Sequence, residues 1–317
     1  MKSLNCKKGS MYFISIVLLI SLLFYFITSS SSNRTVTQSY ITAIELTKDF
    51  VEDFERDLKR VVYIISFRAL LSIEERIVKY GTFSSDLNKE FKEAFYNGTI
   101  YNENMSNMIN NSFRVWLLKL NETLSKQRLS LQINHTDVTI YQNSLTGPWF
   151  VGVNFTLNYT LLDLKTNARI SRGILIQSLI SIIEFEDPVF LINTLGRYSR
   201  TIRKSPYYNH FVVEGNTTNL LNHTYHGYYI HTNSSPSFLM RLQGNLSKSK
   251  YGIESLVDIN ALLEQGLEIK NKSIVDYIYF SEENPKSYRI NNTPFWFRLD
   301  NTSSHLKIYQ VENITIS

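Results

Sequence analysis

The sequence predicts an α+β protein: an N-terminal transmembrane helix, long amphipathic helices forming a stalk or bundle, then an antiparallel β-rich domain. Three observations predict it. Met11 to Ile27 runs without a charge. Between residues 40 and 130, apolar side chains recur at threes, fours and sevens, the spacing of one helix face. From Leu131 onward the period falls to two, as a half-buried strand requires.

Residues 1–9 carry Lys2, Lys7 and Lys8 and no acid, so the positive-inside bias holds them in the cytoplasm as a short leader. Residues 10–28 form the apolar helix, and at about 1.5 Å per residue Met11 to Ile27 gives roughly 26 Å against a hydrocarbon core of about 30 Å. Lysines before it and hydroxyls after it can sit among headgroups and close the gap. The lipid bilayer is therefore the first partner. Three fates compete for the segment: an uncleaved signal anchor, a secretory signal cut near Ser29 to Ser32, or a processed leader.

Beyond the helix, residues 29–39 are rich in Ser and Thr and read as a flexible spacer. Residues 40–130 read as the helical stalk. Ile44, Val51, Phe54, Leu58, Val61 and Ile65 stripe a first helix that ends at Gly81. A second begins near Ser85, and a third spans Ser106 to Ser130 with Met108, Phe113, Trp116, Leu117, Leu120 and Leu124 on one side.

Residues 131–317 read as the extracytoplasmic β-rich domain. Leu131 to Tyr141, Trp149 to Leu161 and Ile170 to Ile182 alternate, with turns at Gly147-Pro148 and at Lys165 to Ala168. Further strands are expected at His210 to Val213, Tyr225 to His231, Ser273 to Phe280, Phe295 to Leu299 and Leu306 to Val311, with a short helix from Asp258 to Gln265.

Sixteen Asn-x-Ser/Thr sequons occur: Asn33, Asn97, Asn104, Asn110, Asn121, Asn134, Asn154, Asn158, Asn216, Asn222, Asn233, Asn245, Asn271, Asn291, Asn301 and Asn313. Chance pairing in a chain of this composition gives roughly five. The excess points to glycan attachment, and hence to an exterior body. Asn154 and Asn158 share strand parity, so their face is open and Val153, Phe155 and Leu157 point inward.

The net charge of +5 includes three lysines of the leader, so the body is nearly neutral and carries no nucleic-acid footprint. Cys6 is the only cysteine and falls in the leader, so the body has no disulfide. Its many aromatics, with Tyr 20 and Phe 19, must supply the stability by packing. A disulfide-free, sequon-dense exterior fits an archaeal cell surface.

His223, His226 and His231, with His210 upstream, are the nearest approach to a metal set. No regular element turns all three to one ion, so no metal or other cofactor is assigned. Arg197, Arg200, Arg203 and Lys204 form a basic cluster beside Tyr198 and Tyr207, suited to an anion or to a partner's acidic patch. The alternative is a solvated face paired with Glu184, Glu186 and Asp187. No nucleophile elbow, zinc-protease, P-loop or dinucleotide motif occurs, and acidic pairs such as Glu282 with Glu283 are too common to mark a glycosidase. The expectation is a protein that is not an enzyme.

Lys7-Lys8-Gly9-Ser10 directly before the apolar helix resembles the class III signal of archaeal type IV pilins. The resemblance covers about the first 28 residues and implies cleavage after Gly9, with Ser10 as the mature N-terminus and pilus-like subunits as partners. It departs from that family at Ser10, where Gln is frequent, and lacks an early acid. The expected function is a single-pass, N-glycosylated surface protein with a structural or interaction role. The alternatives are a pilin-like subunit, which the spacer and the large head weigh against, and a glycan-binding or hydrolytic ectodomain.

Overall fold

The computed structural model describes the backbone of residues 6–316 and the side chains of 18–25 and 48–316. Lys7, Lys8, Gly9, Ser10 and Asn33 thus lie outside the residues whose side chains are described, as does most of the expected membrane segment. Among the described residues no helix is long and apolar enough to cross a membrane. Leu18 to Tyr25 are all exposed.

Helix α1 runs unbroken from Cys6 to Tyr80, 75 residues. It passes through residues 29–39, which corrects the expectation of a flexible spacer. No Gly or Pro falls there, and Ser, Thr and Asn cost a helix interior at most about 0.7 kcal/mol each, so propagation from both flanks carries the helix across. Gly81, with φ +61, ends it.

The second half of α1 is the spine of the fold. Val51, Phe54, Leu58, Val62, Ile65, Ala69, Ile73 and Ile77 form a buried stripe along it. Helices α2 (Leu87–Asn97) and α3 (Phe113–Lys126) flank it, capped by the side chains of Asp86 and Ser112. The expected third helix starts later than its periodicity suggests, because Asn110 adopts the left-handed region at φ +58.

These helices cover a three-stranded antiparallel meander of β1 (Leu129–Tyr141), β2 (Phe150–Asp163) and β3 (Arg169–Ser181). Val151, Val153, Phe155, Leu157, Tyr159 and Leu161 on central β2 are all buried, as parity requires. Each helix sends a ring onto this row: Phe54 to Tyr159 at 5.0 Å, Phe95 to Phe155 at 5.5 Å, and Phe113 to Phe155 at 5.1 Å. From Val51 on, the helices therefore share one core with the sheet and do not stand apart from it as a stalk. A stripe this wide and a one-sided sheet each need a cover, and each supplies the other's.

Past Ser181 the elements are short. They are α4 (Pro188–Asn193), α5 (Thr218–Tyr225), β4 (Tyr229–Thr232), α6 (Phe238–Leu242), β5 (Gly252–Ser255), α7 (Ile259–Glu264), α8 (Asp276–Phe280), β6 (Ser287–Ile290), β7 (Arg298–Asp300), α9 (His305–Ile308) and β8 (Thr315–Ile316). Strand β4 pairs with β5, and β6 lies between β8 and β7, all antiparallel. The mixed α and β class with antiparallel sheets holds, but three strand expectations do not. Asp276–Phe280 and His305–Ile308 are helical turns, and His210 to Val213 forms only one bridge, Val213 to Asn216. Runs of alternating aromatics fit either a strand or one helical turn, and tertiary packing decides between them.

Candidate functional site

The basic cluster does not act as one unit. Arg200 is buried: Nη1 donates to the Leu256 carbonyl at 2.9 Å, Nη2 to the Thr224 carbonyl at 3.0 Å and Nε to the Tyr198 hydroxyl at 3.0 Å. Its guanidinium lies 5.1 Å from the Phe190 ring centroid. Arg203 pairs with Glu184 at 3.4 Å, Lys204 sits 5.1 Å over Trp149, and Arg197 is exposed. Arg200 and Arg203 line a recess of about 130 Å³ with Tyr198, Tyr225, His226 and Gly227; Arg197 and Lys204 lie outside it. An outside anion would find one guanidinium already shared with Glu184 and one exposed imidazole. That is a polar recess and not an anion cradle.

Gly227 makes the burial of Arg200 possible. It has φ +65, and a Cβ there would sit 2.8 Å from Arg200 Cδ. Gly227→Ala is expected to destabilise the fold by about 2 kcal/mol or more, adding the left-handed cost to a clash. Gly266→Ala, with φ +67 and open space around its Cβ, isolates the backbone part. Urea midpoints of the two variants should differ, with Gly227→Ala the lower.

The four histidines go separate ways. His223 is buried, its Nδ1 2.9 Å from the Ser205 hydroxyl, and burial followed by the charge of Arg200 pushes its pKa down to about 3. His226 Nδ1 pairs with the Asn222 carbonyl and His231 Nδ1 with that of Gly252, while His210 is exposed. Among the described residues no group of three or more His, Cys, Asp or Glu could hold a metal ion.

The densest chemistry is a sealed polar hub between the short elements, and sequence reasoning missed it. Arg241 on α6 reaches Asp187 at 2.6 Å and Asp276 at 3.0 Å. Asp187 also caps α4 through Val189 N–H and accepts from Tyr229 Oη at 2.8 Å. Asp276 accepts from Ser255 N–H and Oγ. A second arm joins His305 to Asp300 at 2.9 Å and to Glu254 at 3.6 Å, and Glu254 accepts from Thr232 and Tyr309. The side chains of all six charged members are fully buried. Its signal in the sequence is one charge inside each apolar run: Arg241 in Phe-Leu-Met-Arg-Leu, Asp276 in Ile-Val-Asp-Tyr-Ile.

Part of this hub has the connectivity of a nucleophilic relay. Tyr277 Oη lies 3.1 Å from His305 Nε2, and Asp300 Oδ1 lies 2.9 Å from Nδ1. Its electrostatics oppose that use. Burial alone would lower the His305 pKa, but the Glu254 charge and the Asp300 hydrogen bond raise it to about 10. An imidazole already protonated at neutral pH cannot take the tyrosine's proton. Burial and the Glu254 charge also drive the Tyr277 hydroxyl well above its usual range. The arrangement holds the elements together.

The sequons form a surface pattern. Of the sixteen acceptor asparagines fifteen are described, and none is buried. Asn154 and Asn222 are half-buried and the other thirteen exposed. Asn154 and Asn158 project from the face of β2 opposite Val153 and Phe155, with Gln177 Nε2 donating to Asn154 Oδ1 at 3.1 Å.

No family model matches the chain, and neither a curated protein nor a solved structure is similar to it.

Proposed function

We propose that the chain is a single-pass, membrane-anchored, N-glycosylated cell-surface protein whose folded body has a structural or interaction role. One observation carries the proposal: every described acceptor asparagine, among sequons present at about three times chance, reaches the surface. Glycopeptide mass spectrometry of the natural protein tests it. Sugars on several of these asparagines are expected; a uniformly bare set would overturn it.

The second reading, a pilin-like subunit cut after Gly9, is favoured by the continuity of α1. Its apolar first part and its packed second part are one rod of roughly 110 Å. A rod of this kind suits a filament core as well as a bilayer. N-terminal sequencing separates the two: a start at Ser10 favours the filament, a start at Met1 or Lys2 the plain anchor.

The folded body also dictates when some sites can be modified. The hydroxyls completing five sequons, on Ser112, Thr160, Thr224, Ser235 and Ser273, belong to buried residues. Thr160 pairs with Ser171, Thr224 with the Leu220 carbonyl, and Ser273 with Asp300. A transferase that reads that hydroxyl must act before the fold closes. With refolded, unglycosylated protein as acceptor, Asn245 and Asn313 are expected to be modified. Asn110, Asn158, Asn222, Asn233 and Asn271 should stay bare until denaturant opens the fold. Equal labelling of both sets would refute this order.

A further inference from the structure

We propose that the apolar groove between α2, α3 and β1 is the seat of the protein's own glycan, carried on Asn121. The groove has a volume of about 380 Å³ and is lined mainly by carbon, including Tyr96, Phe113, Leu117 and Leu118. Two of its lining residues, Asn97 and Asn121, are sequon asparagines. The inference rests on the glycoprotein reading and adds where one chain of sugar lies.

Helix geometry aims Asn121 at the groove. Side chains on a helix lean toward its N-terminus, so residue 121 lies over the positions three and four before it, Leu118 and Leu117. Leu118 is 64% exposed, an apolar side chain set beside an aromatic slot. A pyranose supplies the matching chemistry. Its C–H face packs on leucine and on the electron-rich face of an aromatic ring, while its hydroxyls stay in water or meet polar groups at the rim. Asn97 and Arg114, both exposed, supply such polar groups among the lining residues.

The test uses the full chain from a host that glycosylates it. Thr123→Ala abolishes the sequon and leaves Asn121 in place. The Thr123 hydroxyl bonds only to the Lys119 carbonyl one turn back on an exposed face. Alanine is the better helix former, so any loosening of α3 cannot come from the substitution itself. Ser247→Ala, which removes the Asn245 sequon far from the groove in sequence, is the control. With Asn121 shown by glycopeptide analysis to be occupied, Thr123→Ala should at least double the fluorescence of an apolar dye. It should also speed amide exchange across 113–126 by about tenfold, while Ser247→Ala changes neither. Nuclear Overhauser contacts from the first sugar to the Leu118 methyls should be present in the wild type. Occupied Asn121 with no such contacts and no change in dye or exchange overturns the inference alone. A bare Asn121 among other occupied sites overturns it as well, and bare asparagines throughout overturn the glycoprotein reading with it.

Discussion

Arg241→Met is expected to lower the stability of the body by about 3–5 kcal/mol, the loss typical when one partner of a buried ion pair is removed. Methionine fills the volume, so the loss is electrostatic. Asp187 and Asp276 would each keep a carboxylate in a fully buried site, with Tyr229 and Val189 N–H as donors left to the first and Ser255 and Tyr277 N–H to the second. Asp276 makes the effect depend on pH. Burial raises its pKa, Arg241 opposes this, and Asp187 and Glu254 add to it, leaving it at about 6. Without Arg241 the opposing charge is gone, so Asp276 protonates more readily and the variant recovers part of its deficit near pH 5. Adding Asp276→Asn to Arg241→Met should recover part of it at pH 7.5 as well. Chemical denaturation at both pH values measures this. A loss under about 1 kcal/mol at pH 7.5 would mean that the hub does not hold the short elements in register.

The three-stranded meander was legible because its signal is local. Strand period, turn residues and the shared parity of Asn154 and Asn158 lie within a few residues of one another, and one buried face fixes the register. The start of α2 near Ser85 and the stop at Gly81 were local too. The hub was not legible, because Asp187, Glu254, Asp276 and His305 converge from separate elements and no spacing rule links them. The short helices α8 and α9 were misread as strands for a related reason: a four- or five-residue run has no period of its own, and its partners choose its conformation. The basic cluster was legible as a cluster but not as a division of labour. Only Gly227, distant in sequence and lacking a Cβ, lets Arg200 turn inward while Arg203 stays with Glu184. The same blindness applies to the groove at Asn121, whose walls come from two helices and a strand.

Glu74→Gln is expected to stabilise the protein at alkaline pH, against the usual effect of altering a buried residue. Glu74 lies on α1 where that helix meets Glu186 and Asp187; burial first and then the charges of those two carboxylates raise its pKa to about 9. Its Oε1 has no hydrogen-bond partner. In the unfolded chain the group titrates near 4.5, so between about pH 4.5 and pH 9 the unfolded state has released a proton that the folded state keeps. A folded pKa raised in this way gives stability that is complete below pH 4.5 and is lost as pH rises through 9, at about 1.4 kcal/mol per pH unit. His305 acts in the same direction over a later window, from about 6.5 to about 10. Burial of neutral His223, with its pKa near 3, opposes both, but only below about pH 6.5. The wild type should therefore be most stable on the acid side of neutrality and weaken steadily above it. Glutamine carries no proton to lose and its amide can donate to the neighbouring carboxylates, so the variant's curve should be flatter. The two curves should converge near pH 4.5 and separate by a few kcal/mol at pH 8, with the variant above. If Glu74→Gln were the less stable of the two at pH 8, the carboxyl would have to be ionised and paired in the folded protein, and not buried as the neutral acid.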